Sequence, residues 1–311
     1  MQPTTEVRHW YGFILSLITA VMWGVLPVFL KLVLHQLDAI TITWYRFAAA
    51  FLIVMLMLVR VGALPSMRAL SRNNNLILLV AALGLVVNYV FYLMGLDYLN
   101  PETGQVVIQL APFLLMVGGV YFYKEHFNTL EWVGAVMLFI GLMVFFNNRL
   151  DELFLSMNDY SFGVILIIIA AIAWAIYGLL QKKLMRTMTA KQVTLIMYLA
   201  GVITLLPFSN LPAVINLELL QVGALIFCCL NTVIGYGAFT EAMYVWHASK
   251  VSAVIALAPL ITILSMYVAI DVWPQYFAPS DLNWLAYIGA GLVVCGSMVV
   301  SIGKGKAQTN S

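Results

Sequence analysis

The sequence predicts an all-α integral membrane protein with ten transmembrane helices, built as two inverted five-helix repeats around a central cavity. Three observations carry that expectation. Of the 311 residues, 63% are hydrophobic and only 9% charged, so lipid rather than water has to solvate the apolar surface. The apolar residues fall in stretches near the roughly 20 residues that a helix needs to cross a bilayer. Finally, the chain repeats itself: Val107, Ile108, Gln109, Leu110, Ala111 and Pro112 return as Val254, Ile255, Ala256, Leu257, Ala258 and Pro259, five identities in six at a spacing of 147.

The predicted spans cover 11–33, 39–60, 76–98, 103–123 and 129–147, then 160–182, 190–207, 219–242, 250–270 and 283–302. The first follows Arg8 and His9 and is too long for a cleaved signal, so it reads as a span. The fourth and ninth carry the hexapeptide. Pro112 and Pro259 each remove a backbone donor near mid-membrane and are expected to kink their helices. Broken spans at matching positions of two halves point to a transporter's binding site, although proline is also common in membrane helices generally. Leu64-Pro65-Ser66, Asn73-Asn74-Asn75, Asn100-Pro101, Asn147-Asn148 and the stretch from Pro274 to Pro279 punctuate the connections. Residues 1–10 and 303–311 are short tails, and no soluble domain fits between the spans.

With the N-terminus inside, twelve of the fifteen basic residues fall on the cytoplasmic side, only Arg149 lies in an outer loop, and Lys31 and Arg46 sit in the outer parts of the first two spans. That asymmetry predicts cytoplasmic termini. The formal charge of +2 and scattered basic residues give no patch for nucleic acid. Cys228, Cys229 and Cys295 lie in apolar runs, which suits packing better than a disulfide framework. His9, His35, His126 and His247 have no spacing that suggests a metal site, and no cofactor motif is present.

The duplication extends beyond the hexapeptide. At a spacing of 151, Gly12, Ile14, Leu15, Ile18, Ala20, Trp23 and Lys31 match Gly163, Ile165, Leu166, Ile169, Ala171, Trp174 and Lys182. Gly134 and Gly141 match Gly289 and Gly296 at 155, which puts an eight-residue insertion around Trp273 to Asp281. The repeats are thus expected at 11–147 and 160–302, with five spans each. An odd number makes the second enter the membrane from the opposite side, and inverted repeats supply a route to alternating access.

The Ala20, Trp23, Gly24 and Lys31 pattern, its partner Ala171, Trp174, Ala175 and Lys182, the Arg46-Phe47 pair, the mid-span prolines, and Glu125 ahead of Gly134 and Gly141 resemble the EamA family of the drug/metabolite transporter superfamily. The resemblance covers about residues 11–302. It departs at Asp271, one place from where Glu125 predicts an acid. It implies ten helices around a cavity, a bacterial inner-membrane location, cytoplasmic termini and movement of small metabolites, most often outward.

Polar and aromatic residues sharing helix faces mark the expected substrate site: Trp23 in the first span, Asn88 and Tyr92 in the third, Gln109 in the fourth, Trp174 and Tyr177 in the sixth, Asn231 and Tyr236 in the eighth. The amides could equally bond neighbouring helices, and the aromatic rings could simply pack. The glycines at 134, 141, 289 and 296 read as helix contacts. A lining of rings and amides with little fixed charge suits amino-acid-like, aromatic or other neutral or zwitterionic solutes better than phosphates. Glu241 is a candidate for proton coupling, or is merely wet. Lys31 and Arg46, beside Asp38, Asp97 and Glu102, either pair to close an outer gate or snorkel to the interface. The expectation is a secondary exporter, with import as the alternative, and a monomer or a homodimer is equally compatible. HExxH and GxSxG signatures are lacking, which argues against an intramembrane enzyme. Nine residues after 302 argue against a receptor with an output domain.

Overall fold

The computed structural model describes residues 9–65, 72–123, 128–154, 158–185, 187–246 and 248–309. Arg8, Arg68, Lys124, Glu125, His126, Arg186 and His247 lie outside these residues. The elements in order are α1 (His9–Leu34), α2 (Ala39–Arg60), α3 (Arg72–Tyr98), α4 (Pro101–Val107), α5 (Leu110–Tyr123), α6 (Thr129–Phe145), α7 (Leu150–Phe154), α8 (Asp159–Leu184), α9 (Ala190–Leu205), α10 (Leu219–Val245), α11 (Ala248–Ile255), α12 (Ala258–Val272) and α13 (Trp284–Thr309). Two 3₁₀ turns, Leu206–Phe208 and Leu211–Asn216, connect α9 to α10, and the described residues include no strand. Seven helical stretches among them are long and apolar enough to cross a membrane, and α6 and Trp284–Val300 are shorter apolar helices.

Local chemistry sets several helix starts. Asp38 caps α2 by accepting from the backbone N–H groups of Ile40 and Thr41. Asn128 and Glu131 cap α6 reciprocally, as Thr189 and Gln192 cap α9. The structure also resolves the expected kinks into full breaks. The fourth span divides at Ile108–Gln109 into α4 and α5, and the ninth at Ala256–Leu257 into α11 and α12. In the second break, Leu260 N–H turns to the carbonyl of Leu257, at 3.0 Å, so the Ala256 carbonyl loses its ordinary helical donor. Pro259 buries against neighbours just past that point. The two breaks overlap at the third position of the hexapeptide, Gln109 and Ala256, the second lying one residue further toward the C-terminus.

Packing joins the halves to each other more than each half to itself. The dominant pairings are α6 with α13, α3 with α8, α1 with α10, and α2 with α9. Glycine makes the first pairing close. A β-carbon on Gly289 would stand 2.3 Å from the backbone nitrogen of Phe145, and one on Gly141 would stand 2.6 Å from that of Val293. Gly134 and Gly296 meet in the same way, each within 2.7 Å of the other's carbonyl oxygen once a β-carbon is added. Small residues allow such backbone approach, which in lipid replaces the hydrophobic drive available in water.

Candidate functional site

A cavity of about 410 Å³ lies among the helices. Trp23, Leu26 and Pro27 of α1, Arg46 of α2, Asn88, Tyr89 and Tyr92 of α3, and Trp174 of α8 form part of its wall. Gln105, Gln109 and Pro112 line it from the first broken span; Asn231, Thr232, Tyr236, Phe239 and Met243 do so from α10. Ser252, Ile255, Ala256 and Ala258 complete the wall around the second break, with Ser297 and Val300 of α13. Both breaks therefore border one space. Gln109 Nε2 donates to the freed carbonyl of Ala256 at 3.3 Å. These residues occupy the same place in the two hexapeptides, and theirs is the one position at which the copies differ.

Of the residues expected at the site, Trp23, Asn88, Tyr92, Gln109, Trp174, Asn231, Tyr236 and Pro112 come together on this wall. Tyr177 does not; it is buried behind it in the core formed with α2, α3 and α9. Pro259 is buried beside Ala258, outside the lining. The amides serve packing and lining at once. Asn88 Nδ2 donates to the Ala170 carbonyl of α8 at 2.9 Å, and Asn231 Nδ2 to the Met22 carbonyl of α1 at 2.6 Å. Asn231 Oδ1 stays buried without a partner. The rings form a continuous patch, with Trp23 centred 5.3 Å from Tyr236 and 5.6 Å from Phe239. Tyr92 donates to Gln105 Oε1 at 3.2 Å.

The charged candidates part company. Arg46 is two turns into α2, roughly 10 Å below its start, and this depth puts it on the cavity wall instead of at a helix end. Only 3% exposed, it donates from Nε to Thr232 Oγ1 at 3.1 Å and lies 4.6 Å from the centre of the Tyr89 ring. Lys31 pairs with no carboxylate among the described residues; its Nζ donates to the carbonyls of Leu96 and Asp97 at 2.8 and 2.7 Å, at the C-terminal end of α3. A cation there meets the negative end of the helix dipole. Glu241 is exposed near the end of α10 and does not line the cavity. Glu102, in the first turn of α4, is 2% exposed, and its Oε2 has no hydrogen-bond partner. Sequence reasoning passed over Tyr89 and Phe239. The identity of Tyr89 with Tyr236 at the 147 spacing is the signal that would have found the first.

A second space, of about 460 Å³, lies at the end of the bundle where Lys31 sits. The inserted segment roofs it, with Tyr276, Phe277, Pro279 and Asp281 in its lining. Arg149 Nη2 pairs with Asp281 at 3.3 Å, and Asn147 and Asn283 exchange side-chain hydrogen bonds at 3.2 and 2.8 Å. The Tyr276 hydroxyl donates to Glu218, and this bond to a carboxylate pushes the phenol above its usual range. Among the described residues no group of His, Cys, Asp and Glu gathers as a metal site.

A cavity walled by rings and amides and bordered by two broken helices, inside a bundle of membrane-length helices, is the architecture of a membrane transporter. Comparisons with known proteins agree. The EamA-like transporter family matches residues 10–147 and 161–302, and the chain belongs to that family. An uncharacterized transporter of Haemophilus influenzae is 40% identical over 292 residues, covering 94% of this chain and 95% of that protein. The uncharacterized inner membrane transporter YhbE of Escherichia coli is 41% identical over 293 residues, 94% of this chain and 91% of that one. A probable amino-acid metabolite efflux pump of Escherichia coli is 21% identical, across 91% and 92%. A crystal structure at 16% identity shares the fold, with a TM-score of 0.63 over 94% of this chain and 97% of that one.

Proposed function

We propose that this protein is a secondary active exporter of small organic metabolites, amino-acid-like, aromatic or otherwise neutral or zwitterionic, working by alternating access in the bacterial inner membrane. The observation that carries the reading is the contact of the two helix breaks, Gln109 to Ala256, on the wall of the aromatic and amide cavity. Broken helices lend a site unpaired backbone groups and two segments that can shift independently. The names of the relatives, inner membrane transporter and amino-acid metabolite efflux pump, favour the same place and class.

The reading takes the chain as ten spans in two inverted repeats with both termini cytoplasmic. The pairing pattern supports the repeats: exchanging the halves turns the α3–α8 contact into α10–α1 and leaves α6–α13 and α2–α9 as themselves. In that orientation the Lys31 bonds and the inserted segment lie on the outer side. The cavity extends inward to Met243 and Ser252, which favours access from the inner side. For proton coupling, the buried carboxyl of Glu102 is a stronger candidate than the exposed Glu241, because burial favours its protonated form and a change of access could expose it to release the proton.

The test is the small-molecule content of the medium around cells overproducing the wild type or Trp174→Ala at equal membrane abundance. One compound class accumulating outside only with the wild type is the expected result. Depletion of a solute from the medium would reverse the direction, and identical media together with no uptake into proteoliposomes would overturn the reading.

A further inference from the structure

Among the described residues Arg46 is the one charged side chain lining the central cavity, and no Asp or Glu of that set lines it or pairs with it. Its two protein contacts, the neutral Thr232 hydroxyl and the face of Tyr89, use one of its five N–H groups and one face of the guanidinium. Among the described residues no acceptor pairs with the terminal nitrogens, and the residue borders the cavity. A lone cation held between membrane helices is costly, and such residues are ordinarily compensated by an opposite charge. Here no opposite charge among the described residues supplies that compensation.

We propose that Arg46 is the anchor for a carboxylate on the transported solute. The proposal rests on the transporter reading and narrows its solute class to small molecules with one carboxylate and an apolar or aromatic body. The terminal nitrogens present the planar fork that a carboxylate accepts in two parallel bonds. One guanidinium matches one negative charge, which favours a carboxylate over a phosphate dianion. Trp23, Tyr236 and Phe239 offer the body of the solute an aromatic wall. Position 46 is also unduplicated: at the 151 spacing that matches the starts of α2 and α9, Met197 stands in its place. The bound solute therefore has one defined head-to-tail orientation.

The experiment is a thermal-shift panel on the full-length chain in detergent, using matched pairs such as 3-phenylpropionate with its amide and phenylalanine with phenylalaninamide. The best binder is then followed for flux in proteoliposomes. The expected result is that the carboxylates stabilise the wild type and the amides bind about tenfold or more weakly. Arg46→Gln removes that difference by weakening the carboxylates and leaving the amides unchanged, and Arg46→Lys restores part of it. Equal response to both members of each pair, a preference that survives Arg46→Gln, or no stabilisation by any carboxylate would overturn the proposal. Flux without carboxylate preference would do so while leaving the transporter reading intact. Carboxylate-selective binding without flux would support the anchor and count against transport.

Discussion

The two halves of the chain match in their walls and differ in their polar anchors. Trp23 corresponds to Trp174, Tyr89 to Tyr236, Tyr92 to Phe239 and Ile108 to Ile255, so the aromatic and apolar lining is contributed nearly twice over. The polar groups are not. Arg46, Gln105 and Gln109 correspond to Met197, Ser252 and Ala256. Between these extremes, Gly84 and Asn88 of α3 correspond to Asn231 and Gly235 of α10, the same two residue types in reversed order. In each helix the glycine permits close approach of a neighbour and the asparagine holds one of its carbonyls. The duplicated groups form the aromatic wall and the helix contacts, whereas the unduplicated ones are the polar side chains that give the cavity a direction.

The largest effect is expected where duplication is strictest, at the α6–α13 contact. Gly289→Leu puts a side chain where even a β-carbon would stand 2.3 Å from the Phe145 backbone nitrogen, and backbone atoms cannot yield as a side chain would. Overpacking typically costs about 1–3 kcal/mol, and a whole side chain against backbone exceeds that range. The folded yield in the membrane should collapse, and Gly141→Leu should do the same. A normal yield from only one of the two would break the equivalence of the halves at its firmest point.

The next effect concerns an unduplicated acid. Glu102 corresponds to Ser249, so only the first half supplies a buried carboxyl there. Glu102→Gln should abolish the response of flux to an imposed proton gradient while solute binding persists, and Glu241→Gln should leave both within about twofold, as for other exposed substitutions. Both are read in proteoliposomes. Loss of the response in Glu241→Gln alone would return the coupling role to α10.

Much of this was legible before any coordinates. Composition and length gave an all-helical chain with membrane-length apolar helices, and the hexapeptide pointed to both breaks, because proline acts through local backbone chemistry that a sequence displays. Seven of the eight residues proposed from shared faces reached one wall, and Pro112, proposed as a kink, borders it too. Tyr177 was misplaced because a helix packed on several sides buries more than one face, and sequence cannot say which face opens on the space. Lys31 was expected either to pair with an acid or to snorkel to the interface, and its Nζ donates to two backbone carbonyls. Main-chain acceptors at a helix end carry no residue signature, so a partner of that kind is invisible in a sequence. For Arg46 the missing information was depth: seven residues into a helix reads as near its end until the neighbours that cover it are known.

A smaller effect tests the duplicated rings. Trp23→Ala and Trp174→Ala should each weaken solute binding by about 2 kcal/mol, the scale of a buried aromatic contact at a binding hot spot. The two losses should be similar if the walls are equivalent. Trp23 has ring contacts with both Tyr236 and Phe239, so a larger loss there would assign the aromatic body of the solute to the α1–α10 side.

The smallest effect goes to the centre of the comparison. Gln109→Ala removes the bond that joins the two breaks and leaves the Ala256 carbonyl exposed to the cavity, a cost of about 1 kcal/mol for a neutral hydrogen bond. Ala256→Gln in the same chain would offer an equivalent amide from the other side to the carbonyl at position 109. If the bond only links the breaks, the exchanged double variant should recover thermal stability and flux together, because the hexapeptides are otherwise identical. If Gln109 also touches the solute, stability should return without flux, since the amide would then approach from the wrong half. A double-mutant cycle on both readouts separates these outcomes. Failure to recover even stability would mean that the two breaks, despite their common sequence, are not interchangeable in shape.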